Sequence, residues 1–274
     1  MLSMAFLLIM SLVAGVLTGI IGMASLTLYP VLLTIGVPPI SANATITVTT
    51  VSAGVGTVTS SLKELKYHWK IAGLVALLST IGSTIGALIL IHSSNAGFKR
   101  IVPLFILLAG ILLFWPNHAK TSSRRQQTHL VTVISWTSVM FIGLYNGYFG
   151  AASGLLMIAV LSRVVGGKYV TYNAIRNFAS FINNTVSAII FICLLPIYWS
   201  VIIPLIIGLF IGGYVGPILV RYIPEIIIKK VVGIFAIVLA GMVKQKSIGF
   251  ANFAKPMLFK WIYFYWSFYA ELHP

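Results

Sequence analysis

The chain has 274 residues, 59% of them apolar and 8% charged. A soluble chain of this length has too little interior for so much apolar surface, whereas spans of about 20 residues absorb it readily. Eighteen Lys and Arg face three acids, for a net charge of +15, yet they are scattered between apolar runs with no recognition motif beside them. That pattern speaks against nucleic acid and for membrane loops that follow the positive-inside rule. An all-α polytopic membrane protein is expected.

In chain order, apolar segments are predicted at 4–22, 24–36, 41–61, 71–92, 101–115, 130–149, 152–165, 172–195, 199–220 and 230–244, which makes eight to ten spans depending on how the short ones count. The opening MLSMAFLLIMSLVAG has no Lys or Arg before its apolar run and stays apolar past any cleavage site, so it is read as a retained first span rather than a signal peptide. Glycine-containing breaks, GIIGMAS and GYFGAAS, divide the first pair of segments and the sixth from the seventh. The short segments after these breaks suit either half-helices that turn back inside the membrane or short tilted spans.

Two copies of one unit are expected. Gly15, Gly19, Gly22 and Ser25 recur 128 positions later as Gly143, Gly147, Gly150 and Ser153. With an offset of 130, Asn43-Ala44 matches Asn173-Ala174, Trp69 matches Trp199, and Gly82 and Gly86 match Gly212 and Gly216. The copies are assigned to residues 1–115 and 130–243, each beginning with a Gly-interrupted helix pair, and a basic cytoplasmic linker at 116–129 joins them. With five crossings per copy the halves are inverted and with four they are parallel; the collection of basic loops on the linker side favours inversion. The aromatic-basic tail at 244–274 belongs to neither copy.

Enzyme chemistry lacks its parts. The carboxylates are Glu64, Glu225 and Glu271, all outside the most apolar runs, and no nucleophile, phosphate-loop or metalloprotease motif is present. Five His without ligand spacing and the single Cys193 give no metal centre and no internal disulfide. Neither catalytic residues nor a cofactor are expected.

Transport fits better. A broken helix frees amide N–H groups whose positive dipole end favours an anion, and glycine lets a solute approach the backbone. The candidates are Gly22 and Ser25 at the first break with Gly150 and Ser153 at the second. The plainer reading is that these small residues permit close helix packing. Polar residues cluster in the third and eighth segments: Asn43 and Thr45, with further threonines, in one, and Asn173, Arg176, Asn177, Asn183 and Asn184 in the other. Each would cost about 2 kcal/mol or more against lipid, so they should face protein or a wet cavity. The spacing of Asn173, Arg176, Asn177 and Asn184 puts them on one helical face. Arg176 suits an oxyanion by two-pronged hydrogen bonding; the alternative is an arginine snorkelling to lipid headgroups.

In order and duplication these motifs resemble the sulfite exporter TauE/SafE family: the first break, Pro30 in LTLYPVLLTIGVPP, ANAT at 42–45, HWK at 68–70 and GSTIGA at 82–87, then GLYNGYFGAASG, YNAIRN and GLFIGGYVG in the second half. The resemblance covers roughly residues 10–243 and implies a multi-pass permease of the bacterial inner membrane that moves sulfite, sulfonates or related anions. Where that family runs several glycines together, this chain has Met23-Ala24-Ser25 and Ala151-Ala152-Ser153-Gly154, which narrows the backbone approach. The expected function is a secondary carrier or facilitator, an exporter of small anions, with a non-transporting membrane scaffold as the alternative.

Overall fold

The computed structural model describes residues 4–101, 129–151, 153–165 and 167–223. They lie in the first of two units, Met1–Val232; the second, Gly233–Pro274, falls outside the described residues. So do residues 102–115 of the fifth expected segment, the linker at 116–128, the segment 230–244 and the tail. The linker's last expected residue, 129, already belongs to a helix.

The helices are α1 (Met4–Ile21), α2 (Ala24–Thr34), α3 (Pro39–Ser60), α4 (Leu62–Leu65), α5 (Trp69–Ile91), α6 (His129–Tyr148), α7 (Ser153–Val164), α8 (Tyr169–Leu194) and α9 (Ile202–Tyr222), the last entered through a 3-10 turn at Trp199–Val201. A further helix opens at residue 95 and is described to 101. Four stretches among the described residues are long and apolar enough to cross a membrane: α1, α5, α8 and Trp199–Tyr222. Beyond Lys70 in the first turn of α5, large apolar side chains are exposed along α5 and α9, including Leu77 and Ile81 on one and Ile203 and Ile207 on the other. Lipid is the solvent these faces require.

α1 stops where its sequence turns to glycine. Gly22 has φ +78° and donates its N–H to the Leu17 and Thr18 carbonyls; any other residue there would carry left-handed strain. Gly150 ends α6 the same way, with φ +72° and its N–H on the Tyr145 carbonyl. The helices that follow have 11 and 12 residues. At about 1.5 Å per residue neither reaches across the ~30 Å hydrocarbon core.

α3 satisfies its threonine hydroxyls within the helix. The hydroxyls of Thr47, Thr49 and Thr50 donate to carbonyls one turn back, at 3.0, 3.0 and 2.6 Å, which satisfies the donors within the helix itself. Its exposed start is finished by Pro39 in the first turn and by Asn95, whose Oδ1 accepts the Ile40 N–H at 3.1 Å.

Small residues set the packing. Along α1 and α9, Gly15 meets Gly212 and Gly19 meets Gly216, so the two run in the same sense. α3 joins them in that sense, pairing Ser52 with Ile206 and Ser60 with Arg221. α5 and α6 form a second such pair, with Gly143 on Ser79 and Gly147 on Ser83. α8 runs with α5, through Trp69 against Phe178 and Ser83 against Ser187. Against α1 its sense is reversed, because Tyr169, Asn173 and Arg176 meet Ile20, Gly19 and Thr18 in turn. Edge-to-face rings seal the region behind the second break, with Tyr29 5.3 Å from Phe149 and Phe98 5.5 Å from Tyr148.

At one end of α9, Arg221 forks onto Glu64, with Nε 2.8 Å from one carboxylate oxygen and Nη2 3.0 Å from the other. Burial pulls the Glu64 carboxyl upward; the Arg221 hydrogen bond, a backbone bond and the charges of Arg221 and Lys63 outweigh it and hold the group below the usual carboxylate range.

Two predictions follow from this packing. A Cβ at Gly19 would lie 2.7 Å from Pro217 Cδ, while one at Gly73 would meet nothing within 4 Å. Gly19→Ala should therefore cost about 1–2 kcal/mol despite its better helix propensity, and Gly73→Ala should be neutral or gain up to about 1 kcal/mol, as read from melting in detergent. The second concerns acid. A depressed carboxylate contributes stability above its unfolded pKa and loses it as pH falls through the folded one, so the gap in melting temperature between wild type and Glu64→Gln should be constant near pH 7 and shrink as pH falls below the ordinary carboxylate range. Partial exposure keeps that gap to about 1 kcal/mol or less.

Candidate functional site

The C-terminal end of α1 presents carbonyl oxygens with acceptor capacity left over; Thr18 O takes the Gly22 N–H and still has a lone pair to offer. α8 covers them with one polar face. Tyr169 Oη donates to Ile20 O at 2.8 Å and Asn173 Nδ2 to Gly19 O at 3.0 Å. Arg176 Nη2 donates to Thr18 O at 3.0 Å and to Gly19 O at 3.3 Å. The same guanidinium is clamped from its own helix: Nε and Nη2 lie 3.1 and 2.7 Å from Asn173 Oδ1, and Nη2 lies 2.6 Å from Asn177 Oδ1.

Arg176 is fully buried at 0% exposure. Two of its three nitrogens are thus satisfied, while Nη1 is buried with no hydrogen-bond partner. The only acid among the described residues, Glu64, is committed to Arg221. Nη1 lies over two glycines, one from each break: a Cβ on Gly22 would collide with it, and one on Gly154 would sit 2.8 Å away. Without those Cβ atoms the guanidinium edge packs directly against both backbones.

Arg176 and residues of both breaks line a cavity of about 40 Å³. Its wall carries Arg176, Asn146, Asn177 and Asn184 together with hydroxyls such as Thr18, Thr50 and Ser153. The first turns of α2 and α7 supply Ala24, Ser25, Ser153 and Gly154 to the same wall. Met23 stands at the N-cap of α2 with no side-chain capping bond, so the positive end of that helix is left facing the cavity. At the second break Asn146 is fixed on both sides. Its Nδ2 donates to Asn183 Oδ1 at 3.1 Å and Asn184 Oδ1 at 2.9 Å, and its Oδ1 accepts from Ser153 Oγ at 2.6 Å.

Of the residues singled out in the sequence, Gly22, Ser25, Gly150, Ser153, Arg176 and Asn177 lie on this wall. Asn43, Thr45 and Asn173 lie off it and brace the breaks instead. Asn43 Nδ2 donates to Tyr148 O at 3.1 Å, at the end of α6, as Asn173 does to the end of α1. Thr45 Oγ1 accepts the Tyr198 N–H at 3.2 Å and so pins the turn before α9. Arg176 does not snorkel to headgroups; it turns inward, because α1 offers carbonyls within reach. Asn146 is not among the residues that the sequence pattern singles out: its amide stands between glycines inside GLYNGYFG, and the signal that marks it is a polar side chain one turn before a break.

A buried cationic N–H, two helix N-termini and a wall of hydroxyls and amides are groups whose chemistry suits an anion. The profile of the sulfite exporter TauE/SafE family matches residues 7–243. This chain belongs to the TauE/SafE family. Its relatives include a "Probable membrane transporter protein ORF9" of Sinorhizobium sp., 26% identical over 86% of this chain and 90% of that one. A "Probable membrane transporter protein" of Haemophilus influenzae is 24% identical over 85% of this chain and 91% of its own length. Another, YfcA of Escherichia coli, is 20% identical over 90% of this chain and 92% of its own. No solved structure matches the chain. The TauE/SafE chain is a membrane protein of a transporter family, which is not an enzyme class.

The two break glycines should respond differently to alanine. Both positions have left-handed φ, which costs about 1–2 kcal/mol for a residue with a Cβ. At Gly150 the new methyl would meet Asn146 O at 3.0 Å, but at Gly22 it would displace Arg176 Nη1. Gly22→Ala should therefore lose solute flux by tenfold or more beyond its loss of melting temperature, whereas Gly150→Ala should lose stability with a smaller change in flux; paired melting and vesicle-flux measurements separate the two.

Proposed function

We propose that this TauE/SafE chain is a secondary carrier or facilitator in the plasma membrane that exports small oxyanions, with sulfite and sulfonates as its substrates. The observation that carries the proposal is Arg176 Nη1, a buried N–H with no partner, set between Gly22 and Gly154 in a cavity that holds no described acid. An uncompensated guanidinium in a membrane is expensive, and an anionic solute is the group that would compensate it. Sulfite and sulfonate oxygens match the guanidinium edge and the two helix N-termini. The family description, which names sulfite, supports that choice of solute.

The helix senses support an inverted duplication as the machinery. In the first half α1 and α3 run one way and α5 the other; in the second half α6 and α8 run against α1, and α9 runs with it. A site at the interface of inverted halves is reached from alternate sides as the halves rock. Export needs no coupling carboxylate, because an inside-negative potential drives a monoanion outward by about 2.3 kcal/mol per 100 mV. A polar cavity at both breaks also favours transport over a packing scaffold, which would fill that volume with apolar side chains.

Arg176→Gln tests the reading in reconstituted vesicles. Loss of a charge-assisted hydrogen bond, about 1.5–3 kcal/mol, should weaken sulfite or sulfonate binding some ten- to a hundredfold, with melting followed in parallel because the carbonyl contacts to α1 are lost too. Wild-type flux and affinity in a folded Gln variant would contradict the role given to the guanidinium.

A further inference from the structure

The polar side chains on the cavity wall differ in whether they still have a proton to give. The hydroxyls of Thr18 and Thr50 donate to Ala14 O and Ile46 O, each at 2.6 Å, and those of Thr47 and Thr57 donate to Asn43 O and Gly54 O, each at 3.0 Å. Ser153 Oγ gives its proton within the second break, 2.6 Å from Asn146 Oδ1. These groups have spent their hydrogens and can only accept from a solute. Among the described residues of the wall, the side chains of Ser25, Ser180 and Asn184 donate to no other group, and Arg176 keeps Nη1 without a partner.

Three of these four donors stand in line. Arg176, Ser180 and Asn184 are spaced by four along α8, which stacks them on a single helical face. A neighbour turns the Asn184 amide: its Oδ1 accepts from Asn146 Nδ2 at 2.9 Å, which leaves its N–H edge unused. Asn146 is itself fixed by Asn183 and Ser153, so the second break sets how Asn184 is oriented.

The wall also has a definite charge. Arg176 is the only Lys, Arg, His, Asp or Glu among its described residues. The groups that hold the guanidinium are neutral, Thr18 O and Gly19 O from α1 with Asn173 and Asn177 from α8. Tyr169, the titratable side chain that acts on it, gives its hydroxyl proton to Ile20 O. One positive charge among neutral donors balances one negative charge; a second on the solute would stay uncompensated in a buried site. A cavity of about 40 Å³ has room for about three water-sized groups, the scale of one oxyanion head.

We propose that Arg176, Ser180 and Asn184 form a donor stripe that grips the solute, that Asn146 positions the Asn184 amide, and that the stripe selects singly charged oxyanions: hydrogen sulfite over the sulfite dianion, and sulfonates over sulfate. The proposal rests on the reading of the chain as a carrier of small anions and deepens it. Serine and asparagine bind oxygen without adding the second charge that a dianion would need.

Initial flux into vesicles holding the full-length protein tests it, with protein-free vesicles as the blank. As symmetric pH is raised through the second ionisation of sulfurous acid, sulfite flux should fall with the hydrogen sulfite fraction while methanesulfonate flux stays level. Sulfate should compete with neither. Ser180→Ala removes a hydroxyl that donates to nothing in the protein, so it should melt as the wild type does while its KM for methanesulfonate rises about tenfold. Asn184→Leu should raise KM likewise. Asn146→Ala should raise KM only where Asn184 is present, so the double variant should be no worse than Asn184→Leu alone. A wild-type KM in folded Ser180→Ala or Asn184→Leu would overturn the stripe. Sulfate that competes as well as methanesulfonate, or sulfite flux that holds level as the dianion takes over, would overturn the charge selection. Wild-type protein that carries neither sulfite nor methanesulfonate would instead sink the anion reading on which the inference stands.

Discussion

A guanidinium with no described carboxylate to pair with, fully buried in a lipid-solvated bundle, is the constraint around which the described structure is arranged. Burial strips it of most of its hydration, and a low dielectric makes every missing partner expensive. The fold meets the cost with oxygen dipoles. α1 ends early, so that the Gly19 carbonyl and the second lone pair of Thr18 O are left for Arg176, and Asn173 and Asn177 turn their amide oxygens onto the same guanidinium. Termination of α1 is therefore part of what holds Arg176, and Gly22 is what terminates it.

The glycines divide into two kinds that work together. Those along α1, α5, α6 and α9 bring the backbones of α1 and α9, and of α5 and α6, into close contact. Each break is braced by a helix distant from it in sequence. The asparagines do the bracing, Asn173 reaching α1 and Asn43 reaching α6. A movement of one half against the other would carry both breaks, with their charges, as linked bodies rather than as separate loops, which is the kind of motion alternating access requires.

Much of the architecture was legible in the sequence because membrane helices announce themselves through apolar length. The segments at 4–22 and 71–92 became Met4–Ile21 and Trp69–Ile91. The inward face of α8 was legible from spacing: Asn173, Arg176 and Asn177 are all buried as a one-face helix requires. Which glycines break a helix and which pack one was not legible, since both uses call for the same missing Cβ; only backbone φ separates Gly22 and Gly150 from Gly19 and Gly147. Nor could spacing tell a wall residue from a brace. Asn173 and Asn177 share a face, but Asn173 spends its amide on α1 and Asn177 reaches the cavity. Asn146 escaped notice because a single amide in an apolar run carries no periodicity to read.

The account is tested most directly by chemical access to the cavity in the intact membrane. In a chain with Cys193 replaced by Ser, a single cysteine at Ser153 would stand on the wall beside the second break. If the two breaks enclose one electropositive vestibule, an anionic thiol reagent will modify that cysteine faster than a cationic one, and an inert sulfonate will slow the reaction. Equal rates for both reagents, with no protection by the sulfonate, would contradict the shared anion site.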